Sequence, residues 1–112
     1  MIVTPSGVIG GSGDRATCVR RRQTLAPGEA SAWHVDPCRR YSIVLSGERL
    51  AIEFQDTGER LEFAVHRGMA GWDAPEPRVH RAINVGSVPF EEAVSFLRAD
   101  AGQDCQPVID VE

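Results

Sequence analysis

Apolar and polar residues alternate with a period of two along much of this chain, and that rhythm restricts it to β-strands. Leu50, Ile52 and Phe54 interleave with Ala51, Glu53 and Gln55; Leu61, Phe63 and Val65 interleave with Glu62, Ala64 and His66. Successive side chains of a strand point to opposite faces, so this pattern belongs to a sheet with one buried face. Helical spacing is never sustained. Residues 91–98 have helical propensity, but the run is short and follows Pro89, so it reads as a strand. Turn signals at Ala26-Pro27-Gly28, Ser46-Gly47 and Asp56-Thr57-Gly58 separate the runs. The expected strands cover residues 15–25, 31–35, 39–45, 48–55, 59–66, 79–85 and 90–98. About eight short strands joined by turns predict an all-β sandwich or barrel.

At 112 residues the chain reads as one domain, because each half alone would be too small to bury a core. Residues 1–14, with Gly7, Gly10, Gly11 and Gly13, read as a flexible or edge-draped arm. Residues 15–99 form the expected domain and residues 100–112 a tail, in which Val108, Ile109 and Val111 can add a strand along a sheet edge.

The net charge of -4 and pI of about 5.3 argue against a general nucleic-acid binder. All 12 basic residues are arginine, which removes a Schiff-base lysine and a phosphate-loop lysine from consideration. Positive charge is then permanent and fork-shaped, suited to carboxylates. No apolar run approaches the roughly 20 residues that cross a bilayer, and the first residues do not read as a signal peptide. Three cysteines at wide spacing, with no C-x-x-C, lead us to expect neither a disulfide framework nor a thiol zinc site, and a reducing cytoplasm as the location.

Two stretches carry a resemblance. Gly28-EASAW-His34-Val35-Asp36-PCR-Arg40-YSIVLS-Gly47 keeps every spacing of the first cupin motif, G-x5-H-x-H-x3-E-x6-G. Asp36 stands at its second His and Arg40 at its Glu. Pro75 to Asn84, with His80 between, resembles the second motif, G-x5-P-x-G-x2-H-x3-N; Pro77 replaces the inner Gly, and the leading Gly is one residue early, at Gly68. The run from Pro27 through Phe90 is also similar to small single-domain cupins associated with β-alanine degradation. The resemblance implies a double-stranded β-helix, the jelly roll, with a ligand site inside the barrel and a homodimer formed through the sheets.

On that register His34, Asp36, Arg40, Ser42, His80 and Asn84 line the cavity. His34 and Asp36 lie two apart and share a face; Arg40, Ser42 and Val44 share one face of the next strand and Tyr41, Ile43 and Leu45 the other. The favoured reading is a metal-free or degraded site that binds or converts a small carboxylate. Arg40 holds the anion and His34 or His80 moves a proton, as in an isomerase or lyase. Its rival is a divalent transition metal (Fe, Mn, Ni or Zn) on His34, Asp36 and His80, the 2-His-1-carboxylate set of oxygenases, with Arg40 as the counterargument. A third reading is a ligand-sensing or structural dimer without turnover, in which Asp36 and Arg40 pair. Arg78 and Arg81 are expected to add positive potential at the mouth, and Trp72 to stack on a ligand or pack at the rim. Trp33 and Tyr41 read as packing residues, His66 as exposed, Cys38 as a plain buried thiol, Glu91-Glu92 as a solvated turn or edge, and Arg20-Arg21-Arg22 as a soluble strand edge. The partner expected is a small molecule, with no nucleic acid and no membrane.

Overall fold

A computed structural model describes residues 2–10, 16–99, 102–105 and 108–109. Residues 1 and 11–14 of the expected arm, and 100–101, 106–107 and 110–112 of the expected tail, Val111 included, lie outside the described residues. The strands are β1 (Ile2–Gly10), β2 (Ala16–Leu25), β3 (His34–Asp36), β4 (Arg39–Ser46), β5 (Arg49–Phe54), β6 (Arg60–Ala64), β7 (Ala70–Asp73), β8 (Glu76–Asn84), β9 (Phe90–Leu97) and β10 (Val108–Ile109). They form two antiparallel five-stranded sheets, ordered β1-β2-β9-β4-β7 and β10-β3-β8-β5-β6. Consecutive strands mostly fall in opposite sheets, which is the jelly-roll winding that the resemblance implies.

The period-two pattern is the cause. Arg40, Ser42 and Val44 of β4 face the interior with Phe90, Glu92, Val94 and Phe96 of β9; Ile52 of β5 and His80 and Ala82 of β8 face them from the second sheet. One end of the sandwich is filled by Leu25, Val44, Leu50, Val65 and Phe90. Gly47 makes the β4–β5 turn with φ +150°, and a Cβ there would press on the Phe90 ring and Val65 at 3.0 Å. The turn thus needs glycine for conformation and for space.

Several expectations change. The segment read as a flexible or edge-draped arm supplies β1 at the edge of the first sheet, where it pairs with β2 from Ile2 to Gly10. Residues 20–22 therefore lie on a covered strand rather than an edge. Arg20 and Arg22 are exposed, but Arg21 is only 3% exposed. Val108 and Ile109 do add a strand, against Val35 and His34 of β3. Strand β7 had no clear period because it holds only four residues.

The expectation of unpaired cysteines is overturned: Cys38 and Cys105 form a disulfide across 67 residues. Both are buried with Val94 and Phe96. No local spacing signals this bond, because it joins the end of β3 to the segment leading into β10, a pairing made only by tertiary folding. The premise for a reducing cytoplasm is gone with it. Among the described residues no helix is long and apolar enough to cross a membrane.

Candidate functional site

Strand β3 has only three residues, and two carry the site. It lies beside β8, with His34 opposite His80 and the register shifted before Asp36. Directly opposed residues of an antiparallel pair project to the same side, so both imidazoles and the carboxylate gather at one point. The two ring centroids are 4.5 Å apart. His80 Nε2 is 2.9 Å from Asp36 Oδ2 and His34 Nε2 is 3.5 Å from the same atom. Asp36 and His80 are each 5% exposed.

Backbone carbonyls fix the rings. His34 Nδ1–H donates to Ala32 O at 2.7 Å, and His80 Nδ1–H donates to Arg78 O at 2.8 Å. A carbonyl only accepts, so Nδ1 carries the hydrogen and Nε2 is turned toward Asp36. His80 then lies between two acceptors. Burial alone would push its pKa down, but the hydrogen bonds to Asp36 and Arg78 O outweigh burial and raise it above the ordinary imidazole value. Burial likewise disfavours the Asp36 carboxylate, yet the hydrogen bonds from His34 and His80 and the Arg40 charge hold it far below the usual carboxylate range.

Arg40 approaches from the facing sheet. Its Nη1 is 3.6 Å from Asp36 Oδ2 and donates to Ala74 O at 3.3 Å. Behind these groups opens a cavity of about 300 Å³, within the range of small-ligand sites. His34, Asp36, Arg40, Ser42 and His80 line it, as do Gln23, Asp73 and Glu92. Phe63 and Met69, 39% and 38% exposed, give it an apolar rim.

Asn84 lies outside the cavity, and Trp72 lies at its border. Asn84 is fully buried, donating to Leu25 O and Val88 O and accepting from the Gly86 N–H. It ties the β8–β9 turn to β2 and does not line the cavity. Trp72 borders the cavity, and its ring pairs with Tyr41 on the other face of the sheet, edge-on at 5.0 Å, under the Arg39 guanidinium at 4.2 Å. The neighbouring pairs Arg40/Asp73 and Ser42/Gly71 take the inner face, and alternation sends Trp72 out.

The two arginines beside His80 do not charge the mouth either. Arg78 pairs with Asp56 at 3.0 Å and lies over Phe54, while Arg81 pairs with Glu53 at 2.8 Å and lies over Trp33. His66 is exposed, with its Nδ1 against Arg67 O.

Glu92 was missed. Read as a solvated turn or edge, the Glu91-Glu92 pair lies instead on β9, between β2 and β4. Glu91 pairs with Arg22 outside, and Glu92 faces the cavity. The signal was present: Phe90, Glu92, Val94 and Phe96 alternate with Glu91, Ala93 and Ser95, so the period that makes β9 a strand also turns Glu92 inward.

No protein-family model and no curated protein sequence matches the chain. Solved structures do match. A cupin domain from Bordetella pertussis Tohama I aligns over 88% of this chain and 93% of its own, at 18% identity and a TM-score of 0.69. A Cupin 2 conserved barrel domain protein from Salinispora arenicola aligns over 87% and 75%, at 20% identity and a TM-score of 0.60. Oxalate oxidase in complex with the substrate analogue glycolate aligns over 83% of this chain and 46% of its own, at 23% identity and a TM-score of 0.61. At these identities the likeness establishes the fold.

Proposed function

From the premise that this chain has the cupin fold, we propose that it holds a divalent transition metal between His34, Asp36 and His80 and acts on a small carboxylate placed beside it by Arg40. One observation carries this reading. Each imidazole is locked by an Nδ1–H bond to a backbone carbonyl, so that both Nε2 atoms converge on one carboxylate oxygen. That outer bond is the usual support of a metal-ligating histidine. The three donor groups lie within 4.8 Å of one another, and imidazole with carboxylate suits first-row metals.

A bound metal supplies Lewis acidity to an oxygen of the substrate. Everything else falls to the chain. His80 must give up its Nε2 proton for the site to load, and Asp36 must turn from its hydrogen bonds toward ligation. Arg40 cannot ligate, but its fork can clamp a carboxylate two-pronged at the cavity end where the donors meet. The oxalate oxidase structure with glycolate supports the choice of a small carboxylate as the class to test.

A second reading rests on a different observation. His80 lies between two acceptors, 2.8 and 2.9 Å away, and so favours its protonated form. An imidazolium beside Arg40 can act on a bound carboxylate as a metal-free acid. Metal analysis separates the two. The chain purified without chelator and titrated with Mn, Fe, Co, Ni and Zn is expected to take up one equivalent, which His80→Ala abolishes. Less than a tenth of an equivalent of every metal, with glycolate or oxalate still bound, leaves the metal-free reading in place of the first.

A further inference from the structure

Glu92 is, with Gln23, Ser42 and Asp73, a polar group of the cavity to which the reading above gives no task. It stands on β9 with Gln23 beside it on β2 and Val44 on β4, and all three line the cavity. Its neighbours on the same face of its own strand are Phe90 and Val94, each 2% exposed. Glu92 itself is half-buried, its carboxyl set among apolar side chains and open to the cavity. Among the described residues Glu92 has neither a hydrogen bond nor an ion pair. Burial pushes its pKa up to about 7; the Arg40 charge partly offsets this, while Asp73 and Asp36 reinforce it.

Its position divides the cavity into two ends. Arg40 lies four residues before Val44, the β4 neighbour of Glu92, so the two Cα rows are about 13 Å apart along the strand, although the charges of Arg40, Asp73 and Asp36 still reach the Glu92 carboxyl. The His34–Asp36–His80 group belongs to the Arg40 end. Val44, Val65, Ile52 and Phe90 surround the other. A molecule fixed at one end by its carboxylate has an oxygen-recognising group waiting at the far end, with apolar walls between.

Resting on the function proposed above, we propose that the Glu92 carboxyl is a ligand-binding group that hydrogen-bonds an uncharged oxygen at the end of the ligand remote from Arg40. The ligand class is then a short-chain carboxylic acid bearing a terminal hydroxyl or carbonyl, with its carboxylate on Arg40 and its second oxygen on Glu92. An amine at that end would need a fully ionised Glu92, and the apolar neighbours oppose ionisation.

The test is calorimetric titration of the full chain, with and without Mn²⁺, against unsubstituted, ω-hydroxy and ω-amino carboxylic acids of three to six carbons. The wild type is expected to bind one ω-hydroxy acid about tenfold more tightly than the unsubstituted acid of the same length, the worth of one good hydrogen bond. Glu92→Leu, which suits its apolar neighbours and so keeps the fold, should erase that preference. Glu92→Gln should keep most of it, because an amide still donates and accepts. Carboxylates that bind without regard to their far end, a preference that survives in Glu92→Leu, or tightest binding of an ω-amino acid each overturn this inference and leave the function above standing. No binding of any carboxylate to the wild type overturns both.

Discussion

His34 and His80 face each other across the β3–β8 ladder, and a single oxygen, Asp36 Oδ2, lies 3.5 Å from one ring and 2.9 Å from the other. The carboxylate therefore organises both imidazoles. Asp36→Asn keeps the shape but removes the charge. His80 then keeps its burial and exchanges a charged acceptor for a neutral amide oxygen, so its pKa should fall to or below the ordinary imidazole value, read by NMR titration of the ring protons. Metal affinity should drop by about 100-fold or more, since an amide is a poor ligand and the His80 orientation loosens. Stability should fall by about 3 kcal/mol, the cost of leaving a buried cationic group without its partner. Unchanged His80 titration would mean that the ring takes its charge from another source.

Arg40 occupies the place of a fourth ligand, and its charge opposes a cation. Two unit charges about 4 Å apart at an effective dielectric near 20 interact by about 4 kcal/mol, and a divalent ion doubles that. Arg40 reduces the penalty by donating to Ala74 O, at the strand end. Arg40→Glu replaces repulsion with a carboxylate on the same inward face of β4. Metal affinity should rise by at least tenfold, and glycolate or oxalate binding should be lost. A rise in both would show that Arg40 does not hold the carboxylate.

These results also bear on what the residues alone revealed. Alternation marked β4, β5 and β8 within a few residues of expectation, because each had a run long enough to show its period, whereas three-residue β3 is too short to show one. His34, Asp36, Arg40, Ser42 and His80 line one cavity because motif spacing and strand parity agree at those positions. Asn84 shares the inward parity but lies beyond the cavity, where it satisfies one carbonyl of β2 and one of the β8–β9 turn. Parity gives the face of a sheet and is blind to depth along it. Trp72 was hard to assign to a face for another reason. Its strand is too short to display a period, and only pairing with Tyr41 assigns its face. The Cys38–Cys105 bond depends on contacts remote in sequence and left no local mark.

Glu92 makes stability depend on pH in a definite direction. Its carboxyl ionises near 4.5 in an unfolded chain and near 7 in the folded one. Between those values the folded state binds more protons, so stability falls as pH rises through the window. The loss levels off above the folded pKa and reaches roughly 3 kcal/mol at most. Arg40, Asp73 and Asp36 are the charged groups that act on it, and variants at those positions should move the window. Chemical denaturation of wild type and Glu92→Gln at pH 5 and pH 8 checks this. The variant should match the wild type at the lower pH and exceed it at the higher one. Parallel pH profiles would place Glu92 in water.

The disulfide holds the strand that carries two of the three proposed metal-ligating residues. Strand β3 pairs with β8 on one side and with the two residues of β10 on the other. Cys38, two residues after Asp36, is bonded to Cys105, three residues before β10 begins. Closing a loop of 67 residues of separation removes unfolded-state entropy worth about 4 kcal/mol in the chain-entropy account. Reduction, or Cys105→Ser, should lower stability by several kcal/mol. It should also free Val108 and Ile109 from β3, leaving His34 and Asp36 held by β8 alone. Hydrogen exchange should therefore quicken at Val35 before it quickens at Ile83, and metal affinity should fall while Arg40 and His80 are untouched. The comparison to make is denaturation and metal titration with and without a thiol reductant. If the reduced chain unfolds at the same denaturant concentration and loads metal equally well, the bond does not brace the site.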